Sequence, residues 1–450
     1  MSVSSDLRLA WLLTRGADRL ERRRAVLTAL GATAATGFAC AAVALASVRG
    51  QVQFPYGNGL LDQPGTRRGV VAGLLLLLVP VLGFLGQCAR IGAVHRDRRL
   101  AGLRLAGAGP KQVRRIAALE AGLACLAGAL IGYAGFATAA LSVDRAVDPV
   151  AWLGAAVVTL AVPVLGVLVS AVALRRVIAS PLGHVRREGA GRGPGLLLGL
   201  LLPVVLVMLG AGLVLVRGSS GTAASLPLFV VGAVVLSGTG AIWVAGTAAR
   251  LIGRRFAPRT ERPAVLLAAH RLQEDPWSAA RSHAAVILVT VVGVGLAGLR
   301  EVMLDQLAAN EAETGVPQDV GYYTYGLNLT ATAVLIALLI SLAALAVGTA
   351  ESLSSRRRAL AAQVAAGVPR RILTRALLLE TALSLTPALV LATLGGTAIH
   401  TAYARIAGQS VPWALPLLVP VGVGAACLLA TATALPLLHR STHPSRLRVA

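Results

Sequence analysis

The sequence predicts an all-α, polytopic membrane protein built from an internally duplicated unit, with about ten transmembrane helices and no large extracellular domain. Three observations carry this reading. The chain of 450 residues is 56% hydrophobic and only 14% charged, where a soluble chain carries about 25% charged residues. Apolar runs of 20 or more residues recur along it, each long enough to cross a hydrocarbon core of about 30 Å as a helix. These runs are continuous and do not alternate with period two, which excludes a β-barrel. Finally, the stretch Arg96–Leu123 (RDRRLAGLRLAGAGPKQVRRIAALEAGL) returns without a gap 260 residues later as Arg356–Leu383 (RRRALAAQVAAGVPRRILTRALLLETAL), with 10 of 28 positions identical. Repeated units of this kind are a common way to build membrane transport proteins.

Taken in order, residues 1–24 alternate Leu7, Leu9, Trp11, Leu12, Leu13 and Leu20 with arginines. That pattern predicts an amphipathic helix on the membrane surface leading into the first span. Spans one and two are expected at Ala25–Val48 and Gly69–Ala93, joined by a loop rich in Gly and Pro. Spans three and four follow at Ile116–Ser142 and Val150–Leu174. A basic, Gly-containing linker at 175–193 closes a first unit, 1–193. Residues 194–249 hold two further spans, Pro194–Val216 and Leu226–Ala249, read as an intervening transmembrane hairpin. The second unit, 250–450, repeats the plan: a basic lead-in, span seven at Ser282–Leu299, a loop at 300–327, then spans at Asn328–Glu351, Ala376–Ala404 and Val411–Leu438. The layout is four, two, four.

The net charge of +23 does not indicate nucleic-acid binding, because the basic residues sit between spans and form no separate domain with interleaved aromatics. They set topology instead. With both termini inside, the inside segments hold 34 of the 42 Arg and Lys, the outside loops 7, and span two the last, Arg90. The protein is expected in the cytoplasmic membrane, and both copies of the repeated stretch then face the cytoplasm. Cys40, Cys88, Cys125 and Cys427 all lie in apolar runs without metal-ligand spacing, and the seven histidines form no metal-spaced pair.

The repeated stretch reads as a mechanical element. Leu100, Leu103 and Ala106 recur at helical spacing among Arg96, Arg98, Arg99 and Arg104, so one face meets lipid or neighbouring helices and the other the cytosol. Gly107, Gly109 and Pro110 then break the helix, and Pro110 suits the first turn of the next one. Lys111 and Arg115 follow. The second copy answers with Arg358, Leu360, Val364, Gly367, Pro369, Arg370, Arg371 and Arg375. A short interfacial helix joined by a stiff elbow to a transmembrane helix converts a push on the first into a tilt of the second. Glu120 and Glu380 sit just past the elbows, near the inner surface, where a carboxylate is costly unless paired or hydrated. Each is expected to pair with a nearby arginine and fix its elbow.

The pattern of Arg-rich helix, Ala-Gly elbow, basic residues and Leu-Glu, standing as LRLAGAGPKQVRRIAALEA and AQVAAGVPRRILTRALLLET, resembles the FtsX-like permeases of ABC transporters, of the MacB/BceB type (type VII). The resemblance extends over both four-span blocks. It implies a permease subunit whose cytoplasmic loop helices dock on a separate ABC ATPase, two copies for two motifs, with ATP and Mg on that partner and no cofactor or metal in this chain. A sensor or other membrane subunit is a further partner of that type. The implied task is export or membrane extraction of a hydrophobic or amphipathic compound, such as an antibiotic, peptide or lipid. The loops of about 20 and 28 residues where relatives carry external domains argue against capture of a soluble partner.

The residues themselves offer no catalytic constellation. A Walker A loop needs a Gly-rich turn followed by lysine, and the only lysine, Lys111, follows a proline that lacks the necessary N–H. ATP hydrolysis is therefore assigned to another chain. Two alternatives stay open: a regulatory membrane protein that passes ATPase motion to a sensor kinase or cell-wall enzyme, and an ion-coupled secondary transporter. The second expects acidic residues at mid-membrane, and the sequence has almost none.

Overall fold

The computed structural model describes residues 8–12, 15, 19–54, 59–62, 64–88, 102, 105, 107–142, 148–178, 226–274, 276–315, 317 and 320–436. Expected span five and the arginine-rich half of the first repeated stretch lie outside these residues. The described chain is helical: α1 (Arg19–Ser47), α2 (Pro64–Cys88), α3 (Pro110–Leu141), α4 (Pro149–Ile178), α5 (Leu226–Phe256), α6 (Pro263–Glu274), α7 (Pro276–Thr314), α8 (Val320–Ser355), α9 (Arg357–Ala365), α10 (Arg370–Ala407) and α11 (Ala414–Ala432). Among the described residues, eight helices (α1–α4, α7, α8, α10 and α11) are long and apolar enough to cross a membrane. The protein is an all-α, polytopic membrane protein. Seven large apolar side chains of α4, from Val150 to Leu168, are more than half exposed, the signature of a lipid-facing surface.

The chain forms two compact units, Met1–Arg187 and Glu188–Ala450. In the first, α1 packs against α2, α3 and α4, and α3 against α4. In the second, α7 packs against α8, α10 and α11, and α10 against α11. First and third spans therefore make the central pair of each unit. The second unit has two additions: α5 packs on both α7 and α10, and α6 lies against α5 and α10. The second helix of the expected hairpin thus belongs structurally with the second unit.

Small residues let the central pairs approach closely. A Cβ on Gly128 of α3 would meet the Ala29 carbonyl of α1, and one on Gly132 would lie 2.6 Å from the Thr33 carbonyl. Thr33 Oγ1 donates across the same contact to the Gly128 carbonyl at 3.0 Å. In the second unit a Cβ on Gly396 of α10 would lie 2.8 Å from the Val291 carbonyl in the same way. One turn beyond Thr33 is Gly37, so Val291 answers Gly37, an offset of 254 where the elbows keep 260. The buried pairs Thr36/Thr290 and Cys40/Val294 share this register. The second unit consequently holds six extra residues between its first span and its elbow.

Span seven continues as helix to Thr314, which corrects the expected loop at 300–327. α7 is 39 residues long, about 58 Å at 1.5 Å per residue, and α8 resumes at Val320. The sequence explains this. From Arg300 to Thr314 it lacks Gly and Pro and is rich in Glu, Leu, Ala and Gln, all good helix formers, and Val302 and Leu307 are buried. Helix stops arrive only with Gly315, at φ +66°, and Pro317. The connection between α1 and α2 is different. Arg67, 4% exposed, donates to the carbonyls of Leu61 (3.2 Å), Val48 (3.0 Å) and Gly50 (2.8 Å). Asp62 accepts from the Phe54 N–H at 2.9 Å. The described residues of the expected Gly- and Pro-containing loop are thus held by two charged side chains.

Candidate functional site

The two elbows are the site the sequence singles out, and the second is described completely. α9 ends at Ala365, with Ala366 as its C-cap. Gly367 follows at φ +90°, its N–H reaching the Val364 carbonyl at 3.0 Å, and the Val368 N–H reaches the Gln363 carbonyl at 3.0 Å. This pair of bonds is the Schellman motif, which closes a helix by placing one residue in the left-handed region where only glycine sits without strain. Pro369 then caps α10 at φ −62° and ψ 139°. The expected first-turn proline is thus found only in the first copy: Pro110 opens α3 after the N-cap Gly109, whereas Pro369 lies one position earlier, outside the helix. Both helices still begin in the same register, at 110 and 370.

The first elbow repeats the backbone turn. Gly107 has φ +92°, and a Cβ at either Gly107 or Gly367 would meet nothing within 4 Å. Conformation, then, and not crowding, calls for glycine at both positions. The Val113 N–H reaches the Gly109 carbonyl at 3.0 Å, starting α3. Val113, Ile116 and Ala117 are 1% exposed and set the inward face.

What stiffens the second elbow is a hydrophobic knot. Leu360 of α9 and Leu373 and Leu377 of α10 are buried together with Leu353 of α8 and Ala434 just past α11, and Leu267 of α6, Val364 and Val368 pack against them. Leu360 and Leu373 are each 1% exposed. At about 25 cal/mol per Å² of apolar area, a buried leucine contributes about 1.5–3 kcal/mol, so α9 cannot move without dragging α10. Leu360 and Val364 therefore serve the elbow from inside. The outward residues are Ala362, Ala365, Ala366, Gly367, Pro369, Arg370, Arg371 and Arg375, all exposed.

An ionic tie lies over the knot. Glu380 Oε2 is 3.4 Å from Arg271 Nη1, and Glu380 Oε1 is 3.8 Å from Arg356 Nη1. One carboxylate thus joins the lead-in helix α6, the N-cap of α9 and the transmembrane helix α10. Arg375, one turn before it in sequence, faces outward instead. In the first unit Glu120 is 9% exposed and Arg24 8% exposed, Lys111 is exposed and Arg115 half-buried. Arg98, Arg99, Leu100, Leu103 and Arg104 lie outside the described residues, and Arg358 stands in the first turn of α9. Sequence reasoning missed Arg271 and Leu267. Their signal was present as the amphipathic pattern of 263–274, but nothing in the sequence aims that helix at a position 109 residues further on.

The family model described as FtsX-like permease C-terminal matches the chain twice, over residues 69–182 and 331–442. Each match takes in a second span, an elbow and the third and fourth spans, and together they cover half of the chain. No curated protein matches it. The duplicated four-span units, the paired elbows at one register and the double family match lead to one conclusion: this chain belongs to the FtsX-like permease family and is an ABC-transporter permease-type membrane protein.

Proposed function

We propose that this chain is the transmembrane subunit through which a separate cytoplasmic ABC ATPase drives export or membrane extraction of a hydrophobic or amphipathic compound. The observation that carries the proposal is the locked second elbow. A Schellman turn, a buried leucine knot and the Glu380 tie make α9 and α10 one lever, while Ala366, Arg370 and Arg371 present an exposed docking edge. FtsX-like permeases typically work with such an ATPase. Two elbows call for two ATPase copies, with ATP and Mg on those partners. The charge bias of the loops puts both elbows and both termini on the cytoplasmic side of the cell membrane.

The test is affinity purification of the full chain from its native membrane, intact and with 107–115 and 367–375 scrambled. Co-purification of an ABC ATPase with the intact chain alone supports the reading. Equal recovery with both forms, or an ATPase with neither, rejects it.

A further inference from the structure

The end of the second unit opposite its elbow holds a buried imidazole that the fold does not require. His400, near the end of α10, is 0% exposed, and neither ring nitrogen completes a hydrogen bond. Its ring packs onto Gly298 of α7, whose missing side chain makes the room, and meets Trp413 edge to face at 6.4 Å. Burial opposes a charge on this ring; the groups that act the other way are the backbone carbonyls of Gly396 and Pro412 and the Glu301 carboxylate one turn along α7 from Gly298. All three are acceptors. A neutral imidazole carries one N–H and leaves its other nitrogen, a lone pair, among carbonyl oxygens; the protonated ring carries two donors. A buried polar atom without a partner costs about 1–3 kcal/mol, so an apolar side chain of similar size would serve packing better here.

The duplication supplies an internal comparison. At the registers established above, His400 answers Ala140, Gly298 answers Ala44 and Glu301 answers Ser47. The first unit makes the same central helix pair without histidine, glycine cleft or carboxylate. We infer that His400 is a proton-binding site, and that its protonated ring clasps the carbonyls of Gly396 and Pro412 and the Glu301 carboxylate, fastening α10 and the entry of α11 to α7.

Among the described residues, the other charged and titratable groups at this end are Arg300, Asp305, Glu311 and Glu313 on α7, Tyr322, Tyr323 and Tyr325 on α8, and Tyr403 and Arg405 on α10. Tyr403 Oη donates to Gln306 Oε1 at 3.3 Å, a second link between α10 and α7. α11 carries only Cys427, toward its far end, and the described charged side chains of α5 and α6 lie at the elbow end. Glu301 is thus the carboxylate placed to hold a charged His400.

Trp413 reports on the ring, because an imidazolium in contact quenches indole fluorescence and a neutral imidazole does so far less. The experiment titrates the full chain in lipid nanodiscs between about pH 4 and 8, the range over which histidines change charge, and takes the Trp413 signal as the difference from Trp413→Phe. The expected result is emission that falls by about twofold on acidification, is flat in His400→Gln, and in Glu301→Gln titrates at a midpoint lower by about half a pH unit or more. A flat Trp413 signal in the wild-type chain, a titration that survives in His400→Gln, or a midpoint unmoved in Glu301→Gln would overturn the inference. Should His400→Gln fail to fold, the Glu301→Gln comparison still decides. No ATPase is needed for this measurement, so it stands apart from the proposal above.

Discussion

Glu380 on α10 and Arg271 on α6 face each other at 3.4 Å, with side chains 21% and 12% exposed. The pair fastens a surface helix to the root of a transmembrane one. Arg356, at 3.8 Å and more exposed, adds the N-cap of α9 to the same carboxylate. Glu380→Gln keeps the shape and removes the charge. At this partly exposed site the Arg271 pair contributes about 1 kcal/mol, so thermal unfolding should move down by about 2–4 °C. The ATPase activity that the permease elicits should fall more than stability does, because the lever loosens before it melts. Parallel melting curves and ATPase assays check this, and an ATPase response unchanged by Glu380→Gln would remove the tie from the coupling path.

Gly367 and Gly107 hold left-handed backbone at +90° and +92° in open space. Gly367→Val places a β-branched side chain there and should cost about 1–2 kcal/mol of elbow geometry. Gly367→Asn, whose side chain tolerates that region, should be milder. Quantitative recovery of an ATPase with each variant is the readout, ranking wild type above Asn and Asn above Val. The reverse order would mean that the turn does not set the docking geometry.

How far the sequence reaches is visible at these same residues. The Gly-Pro breaks, the basic pairs and the 260-residue offset were legible because turn chemistry and repetition are local signals, and they located both elbows. The partner of Glu380 was not legible. Pairing with a nearby arginine was the expectation, but not which one: Arg375 faces outward, and the ties come from Arg356 and from Arg271 on a helix that precedes span seven. Which face of an amphipathic helix meets which neighbour is a tertiary fact. The extended α7 was missed for another reason: its polar continuation ends the hydrophobic run without ending the helix, so hydropathy marks the membrane boundary and the helix runs past it to Gly315.

Gly132 and Gly135 on α3 make a matched pair. A side chain at Gly132 runs into the Thr33 carbonyl and Thr36 of α1, whereas one at Gly135 meets nothing within 4 Å. Gly132→Leu should destabilise the first unit by about 1–3 kcal/mol through overpacking, and Gly135→Leu should leave it within about 0.5 kcal/mol of wild type. Thermal unfolding of the two variants in the same detergent distinguishes them; equal melting temperatures would contradict the close α1–α3 contact.

Arg67 holds three carbonyls of the connection between α1 and α2. Arg67→Ala leaves all three without their buried donor. Residues 48–62 should then become protease-sensitive, with cleavage in this connection about tenfold faster, corresponding to about 1.4 kcal/mol. Arg67→Lys, which supplies a charge but not the planar fork, should fall between. Limited proteolysis with mass-spectrometric mapping reads this directly, and cleavage rates identical to wild type would show the clamp to be dispensable.

The most direct test of the central claim is site-specific photocrosslinking from the second elbow in native membranes. A crosslinking side chain is placed at Arg371, which is exposed, and separately at Leu373, which is 1% exposed in the leucine knot. The account predicts that an ABC ATPase is captured from position 371 and not from position 373, and that capture disappears when 367–375 is scrambled around the probe. No ATPase from position 371, or equal capture from both positions, would contradict it.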